Sequence, residues 1–201
     1  MRRTKVALTV AAIALTPALL TTTPGFAADP VVAPTACQAP TDTFVVTTPG
    51  GEMSDDDVRI TILRIIGDPS TGYAVEAAAQ EALNGTIEDQ RTFLTTDRWP
   101  AQAEDDRVAV VRTLYFATVY NDRGVAAAVQ QVLNDGTPTV LRAFLETGCR
   151  LAQFEDDQIA ILRILADPTT TAAVRAAAQQ ALNERTPEAA RYFLEHGQFE
   201  V

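Results

Sequence analysis

The sequence carries the same pattern three times, with a period of about 50 residues. Each copy has an apolar segment led by aspartate, an alanine-rich segment that ends in Leu-Asn, and a closing Arg-x-Phe-Leu. Such a period is typical of a repeat array, in which each unit buries its apolar face against a neighbour. The leading aspartates lie 48 and 51 residues apart, at Asp57, Asp105 and Asp156. We therefore predict one repeat domain over residues 54–201, with units 54–104, 105–155 and 156–201.

The alanine-rich segments show the clearest helical period. In the third copy, small and apolar residues recur at i, i+3, i+4, i+7 and i+8 from Val174 to Leu182. That spacing indicates one buried face of an α-helix. We predict an all-α fold of three tandem repeats with about three short helices each, either α-solenoid-like or a compact helical bundle. A loop is expected between each third helix and the next first helix. The repeat core is expected at Leu83, Phe93, Leu133, Phe144, Leu182 and Phe193.

Polar residues mark the expected helix ends. An acid at a helix start complements the helix dipole, and a threonine hydroxyl can accept from a free backbone N–H there. Two of the threonines are followed by proline, which suits the first helical position. Gly148 and Gly197 are well placed as C-terminal caps. The expected N-terminal caps are Asp57, Asp105, Asp156, Thr86, Thr137 and Thr186.

The first 27 residues have the pattern of a secretory signal peptide. A positive start is followed by an apolar stretch over residues 6–20 and by small residues before a cleavage site after Ala27. The apolar stretch of 15 residues is short for a membrane span. Residues 28–53 are rich in Pro and Thr and are expected to form a tail or linker. The protein is therefore expected to be secreted into the extracellular medium.

The charge balance is acidic. The chain has 16 Lys and Arg against 26 Asp and Glu, a formal net charge of −10. Removal of residues 1–27 would take away three positive charges and leave −13. Nucleic acids and anionic membrane surfaces are bound through basic patches, so neither is an expected partner.

Two cysteines are present in a chain expected to be exported. An even count in an oxidising compartment predicts a disulfide between Cys37 and Cys149. This bond would tie the tail to the end of the second repeat.

The repeated polar residues allow a chemical and a structural interpretation. The acids that lead the first helices could form a calcium site or a general-acid pair, but no EF-hand spacing is present, and helix capping accounts for them. Two arginine rows could bind an anion along one face, or form ion pairs between helices. These rows are Arg64, Arg112 and Arg163, and Arg91, Arg142 and Arg191. His196, the single histidine, fits the end of the last helix, and one histidine excludes a multi-histidine metal centre. We expect no catalytic residue, metal or cofactor.

The closing motif resembles a known repeat family. The pattern Ala/Val-Leu-Asn followed by Arg-x-Phe-Leu, a loop alanine and an acid pair is similar to the ALF repeat, a short helical repeat of secreted actinobacterial proteins with no established activity. The resemblance implies no catalytic residues. It is carried by Ala82-Leu83 with Phe93-Leu94, Val132-Leu133 with Phe144-Leu145, and Ala181-Leu182 with Phe193-Leu194, and by Ala101 and Ala152.

Three functions remain open at this point. The first is a secreted, non-enzymatic interaction module for an unknown protein or envelope component, because stacked helices expose extended surfaces. The second is a hydrolase of a cell-envelope polymer that uses a carboxylate pair drawn from Asp57, Asp105 and Asp156. The third is a structural protein that associates with itself.

Overall fold

A computed structural model describes residues 35–48 and 50–201. The signal peptide predicted over residues 1–27 lies outside the described residues. The described part is all-α, and it contains no β-strand. The helices are α1 (Asp55–Gly67), α2 (Tyr73–Asn84), α3 (Ile87–Thr92), α4 (Arg98–Tyr120), α5 (Arg123–Asp135), α6 (Pro138–Ala143), α7 (Cys149–Ala166), α8 (Ala172–Glu184) and α9 (Pro187–Tyr192).

The first and second helices of the repeats form one row, in the order α1, α2, α4, α5, α7 and α8. The short third helices α3, α6 and α9 each pack against the two row helices of their own repeat. Every substantial contact between helices lies within a repeat or between adjacent repeats, which is the arrangement of a short solenoid. Each repeat therefore has its own hydrophobic core.

The aromatic residues of the closing motif form the centre of these cores. Phe93, Phe144 and Phe193 are between 1% and 4% exposed. The leucines Leu83, Leu133 and Leu182 are half-buried and pack against the same three clusters. Since these six side chains recur at the same two positions of each repeat, each unit buries the same apolar face.

The loops expected between third and first helices are absent from the described chain, and that prediction was wrong. Each third helix ends in one π turn, at Phe93–Asp97, Phe144–Gly148 and Phe193–Gly197. The first two turns continue without a break into α4 and α7. Gly148 and Gly197 consequently lie inside π turns and are not C-terminal caps. The π turn absorbs one extra residue, so the phenylalanine stays on the core side while the chain remains helical.

The expected caps at the first helices also need correction. The N-cap of α1 is Ser54, whose hydroxyl accepts from the N–H of Asp57, the third residue of the helix. Asp105 and Asp156 lie seven residues inside α4 and α7, because the π turns start these helices at Arg98 and Cys149.

Of the three threonines expected to cap the third helices, two make a capping hydrogen bond and one does not. Thr86 accepts from the N–H of Asp89 in a capping box, and Thr186 accepts from the N–H of Ala189. Thr137 occupies the N-cap position of α6 but makes no capping hydrogen bond. Its hydroxyl donates instead to Asp135 Oδ1 at 2.6 Å, so the expected cap at Thr137 is not formed.

The tail is fixed to the helices by a disulfide. Cys37 and Cys149 are bonded, with their Cα atoms 5.6 Å apart. Ala36 is fully buried in the core of repeat two, and Phe44 packs against the core of repeat one. The residues expected to form a linker therefore lie along the repeats for much of their length.

Candidate functional site: the repeat junctions and the adjoining groove

At each junction, an aspartate of one repeat caps a helix of the repeat before it. Asp105 in α4 accepts from the backbone N–H groups of Ala74 and Val75 at 2.9 Å each. Asp156 in α7 does the same for two N–H groups at the start of α5, at 2.9 and 3.1 Å. The N-cap residues of α2 and α5 make no side-chain capping bond of their own. The two aspartates therefore act as caps, but for the preceding repeat and not for the helix that carries them.

Gly72 leaves the space that the Asp105 carboxylate needs. A Cβ at this position would lie 2.3 Å from Asp105 Cγ. We expect Gly72→Ala to lower the free energy of unfolding by about 1–3 kcal/mol, because the carboxylate must withdraw from two N–H groups at the junction. Urea unfolding measures the change. Gly51→Ala is the matched control, since nothing lies within 4 Å of a Cβ there. A loss for Gly72→Ala as small as that of the control would contradict this role.

The second aspartate of each Asp-Asp pair binds the arginine of the third helix in its own repeat. Arg142 Nη2 lies 2.7 Å from Asp106 Oδ1, and Arg191 Nη2 lies 2.6 Å from Asp157 Oδ1. The two carboxylate side chains are only 2% and 5% exposed. Repeats two and three thus hold an ion pair inside the protein. This outcome agrees with the structural interpretation of the second arginine row.

Burial raises the pKa of these aspartates. Removal from water brings the pKa of Asp106 and Asp157 to about 6, and the neighbouring arginines offset only part of this effect. Burial also raises the pKa of Asp42 and Asp122, whose carboxylates lie in the same two junctions.

Besides its Asp-Asp pair, each junction contains a third carboxylate, that of Asp42 in the first junction and that of Asp122 in the second. These two residues come from different parts of the chain. Asp122 is the N-cap residue of α5, and Gly72 occupies the equivalent position before α2. The Gly72 N–H instead donates to Asp42 Oδ1 of the tail at 2.8 Å. The tail therefore supplies to the first junction an acid that the second junction carries in its own repeat.

The raised pKa values predict that the free energy of unfolding increases as the pH is lowered from 7.5 to 5. The folded carboxyls of Asp106 and Asp157 hold protons up to about pH 6, whereas in the unfolded chain they release them near 3.8. Stability is therefore greatest below the unfolded pKa and is lost as pH rises through the folded pKa. Urea unfolding should give about 1–3 kcal/mol more stability at pH 5 than at pH 7.5.

Two variants isolate the source of this pH dependence. Asp157→Asn removes one titrating group and should reduce the gain on acidification. Asp167→Asn is the control, because hydrogen bonds from Thr169 lower the pKa of Asp167 and its titration falls below the tested range. A stability that stays flat or rises between pH 5 and pH 7.5 would contradict the prediction.

A groove runs beside the third helices, and the tail lies in it. Arg142 Nη1 donates to the carbonyl of Thr41 at 2.7 Å. Arg98, which is 2% exposed, donates to the carbonyl of Phe44 at 2.6 Å. The tail here is neither helix nor strand, and Asp42 between the two bonded residues has a φ of 55°, so these arginines hold irregular backbone.

The groove continues past the tail as an open cavity of about 400 Å³. Its lining is mostly apolar and includes the disulfide-bonded cysteines, Leu145 and Pro187. Arg191 and Asp157 contribute the polar surface nearest the third helix. A volume of this size lies within the range of small-ligand sites.

The other singled-out residues do not join this site. Arg64, Arg112 and Arg163 are exposed, and their side chains make no hydrogen bond or ion pair within residues 35–48 and 50–201. His196 lies in the last π turn, with Nε2 3.9 Å from Glu195 Oε2. In the part of the chain that the structure describes, no group of His, Cys, Asp or Glu is arranged to hold a metal ion. No helix among the described residues is both long and apolar enough to cross a membrane.

Sequence reasoning missed the acids of the buried ion pairs and the groove. The doubled aspartates were visible, but only the first member of each pair was given a role, as a helix cap. The signal that could have separated them is the arginine that recurs in each closing motif, since a buried acid needs a partner of opposite charge.

Comparison with known proteins gives one family model, which matches two of the three repeats. The model of the ALF family, described as short repeats of unknown function, matches residues 59–98 and 159–200. These two segments fall in the first and third repeats. No curated protein and no solved structure matches the chain.

Proposed function

We propose that this chain, which carries ALF repeats, is a secreted, non-enzymatic protein that binds an external partner in the groove beside its third helices. The supporting observation is the groove itself. It already receives backbone carbonyls of the chain's own tail at repeats one and two, and it forms an open cavity of about 400 Å³ at repeat three.

The roles of the acidic residues favour binding over hydrolysis. A carboxylate-dependent hydrolase would need two free acids facing a substrate. Asp105 and Asp156 instead accept backbone N–H groups with both oxygens, and Asp57 accepts from Ser54. Separate alanine changes at the three positions should lower stability and reveal no turnover of envelope polymers. If the parent protein hydrolyses an envelope polymer and one variant loses this activity while it remains folded, the hydrolase alternative would be supported.

Secretion is supported by the pattern of residues 1–27 and by the disulfide, since such bonds persist in oxidising compartments. Protein recovered from culture medium should begin at Ala28 when its N-terminus is sequenced. Recovery only inside the cell, with Met1 retained, would count against export.

Binding can be tested with a blocked groove. Ala39 is exposed at the cavity and belongs to no ion pair, so Ala39→Trp should fill the cavity. Ala176→Trp adds the same bulk on the exposed side of α8 and is the matched control. The chain from Ala28, immobilised and exposed to envelope fractions and spent medium, should retain a component that Ala39→Trp loses and Ala176→Trp keeps. Equal retention by all three proteins would contradict the proposal.

Self-association is a second candidate, supported by a repeated surface stripe. Each first helix exposes an acid, two aliphatic residues and an arginine at i, i+4, i+7 and i+8, and the aliphatic side chains are between 45% and 56% exposed. Two such stripes meeting antiparallel would bring unlike charges together. The stripes are Asp56, Ile60, Leu63 and Arg64; Glu104, Val108, Val111 and Arg112; and Glu155, Ile159, Leu162 and Arg163.

Sedimentation velocity over a range of concentrations decides this candidate. Self-association should appear as a sedimentation coefficient that rises with concentration, and Val111→Glu, at the centre of the middle stripe, should abolish the rise. A monomer at all concentrations would remove the candidate.

A further inference from the structure

In two repeats, the arginine of the third helix uses its two terminal amino groups for the same two kinds of contact. In repeat one, Arg91 Nη2 binds Asp55 at 2.7 Å, and Nη1 donates to the carbonyl of Gly50. In repeat two, Arg142 Nη2 lies 2.7 Å from Asp106, and Nη1 donates to the carbonyl of Thr41. One amino group thus closes the repeat, while the other receives a backbone carbonyl of the residues that precede α1.

In repeat three, only the contact between the arginine and the aspartate of the same repeat is present. Arg191 Nη2 donates to Asp157 Oδ1 at 2.6 Å. Its Nη1 has no hydrogen-bond partner within the described ranges 35–48 and 50–201, and the side chain lines the open cavity. Among the described residues, the donor that holds a carbonyl in the first two repeats therefore has no acceptor in the third.

We propose that the cavity at repeat three binds an extended peptide segment of another protein, with a backbone carbonyl of that segment accepting from Arg191 Nη1. This inference rests on the proposed binding function and names the class of partner. The chain's own tail is the precedent, since the equivalent arginines of the first two repeats already bind its backbone carbonyls.

The lining determines which peptide fits. Leu145, Pro187 and the disulfide offer apolar walls, and the tail segment nearest them carries alanines at positions 36 and 39. Small apolar side chains are therefore expected in the peptide. The lining also holds four acids against two arginines, so a basic residue beside the apolar segment is favoured and an acidic one is disfavoured.

The cavity opens where the described tail begins, at Thr35, so residues 28–34 of the chain itself are the rival occupant. The test uses one probe, the acetylated and amidated peptide Val-Ala-Thr-Ala-Val-Lys, titrated by calorimetry against two proteins. One protein begins at Ala28 and the other begins at Thr35.

We expect saturable binding of the probe to both proteins. Ala39→Trp should weaken it about tenfold or more, and Ala176→Trp should leave it unchanged. Replacement of the peptide lysine by glutamate should also weaken binding, and Glu146→Gln should reduce the difference between the two peptides. Binding only to the protein that begins at Thr35 would assign the cavity to the chain's own residues and overturn the proposal.

The same variants separate this inference from the proposed function. If the probe fails to bind but Ala39→Trp still abolishes capture from envelope fractions, the groove has a partner that is not an extended peptide, and only the present inference is wrong. If the probe fails and capture is unaffected by Ala39→Trp, both are wrong.

Discussion

Replacement of Arg142 by methionine should lower the free energy of unfolding by about 3–5 kcal/mol at pH 7.5. The change leaves the Asp106 carboxylate, whose side chain is 2% exposed, without its positive partner. It also removes the donor to the carbonyl of Thr41 in the tail. A buried charge that loses its partner is among the most destabilising changes that a single substitution can make. Urea unfolding at 25 °C measures the loss.

Three further measurements show whether the buried charge causes this loss. Arg59→Met removes an ion pair with Asp56 whose members are 49% and 89% exposed, and it should cost no more than about 0.5–1 kcal/mol. The loss for Arg142→Met should shrink at pH 5, because Asp106 is then protonated. Adding Asp106→Leu should recover much of the stability. If the double variant is no more stable than Arg142→Met, the unpaired charge is not the cause.

Removal of the disulfide should have the second large effect. The bond joins residues 112 positions apart, and the chain-entropy model gives about 4.7 kcal/mol for a loop near 100 residues. Native disulfides of small domains commonly contribute about 2–5 kcal/mol, so we expect the double variant Cys37→Ser with Cys149→Ser to lose an amount in that range. The unfolding midpoint in urea provides the measurement.

The disulfide variant should also loosen the tail. Ala36 is buried beside the bond, and its contacts depend on the bonded geometry. Limited proteolysis should therefore cut residues 35–48 in the variant faster than in the parent protein. Reduction of the disulfide in the parent protein should reproduce the faster proteolysis. If the Cys→Ser changes alter neither the stability nor the rate of proteolysis, contacts with the helices are enough to hold the tail.

Local patterns were enough to predict the helices, the aromatic core and the disulfide pair. The alanine stripe of α8 and the phenylalanine of each closing motif follow from helical spacing alone, since their partners come from the same or a neighbouring repeat. The pairing of Cys37 with Cys149 followed from the count of two in a chain that carries an export pattern.

The roles of the aspartates and the course of the tail depend on tertiary geometry. The sequence shows Asp105 beside an apolar segment, which is compatible with a helix start. Only the π turn, which continues the third helix into α4, moves Asp105 into mid-helix and turns its carboxylate toward α2. Residues 28–53 have no period, so nothing local predicted that Asp42 would complete the first junction.

The carboxylate caps that cross the junctions make each of the first two repeats depend on the repeat that follows it. The start of α2 depends on Asp105 of repeat two, and the start of α5 depends on Asp156 of repeat three. The start of α8 is served by its own Thr171, whose hydroxyl accepts from the N–H of Val174. The α8 cap of repeat three therefore needs no successor, whereas repeats one and two each take a helix cap from the repeat that follows. Loss of a later repeat consequently removes a cap from the one before it.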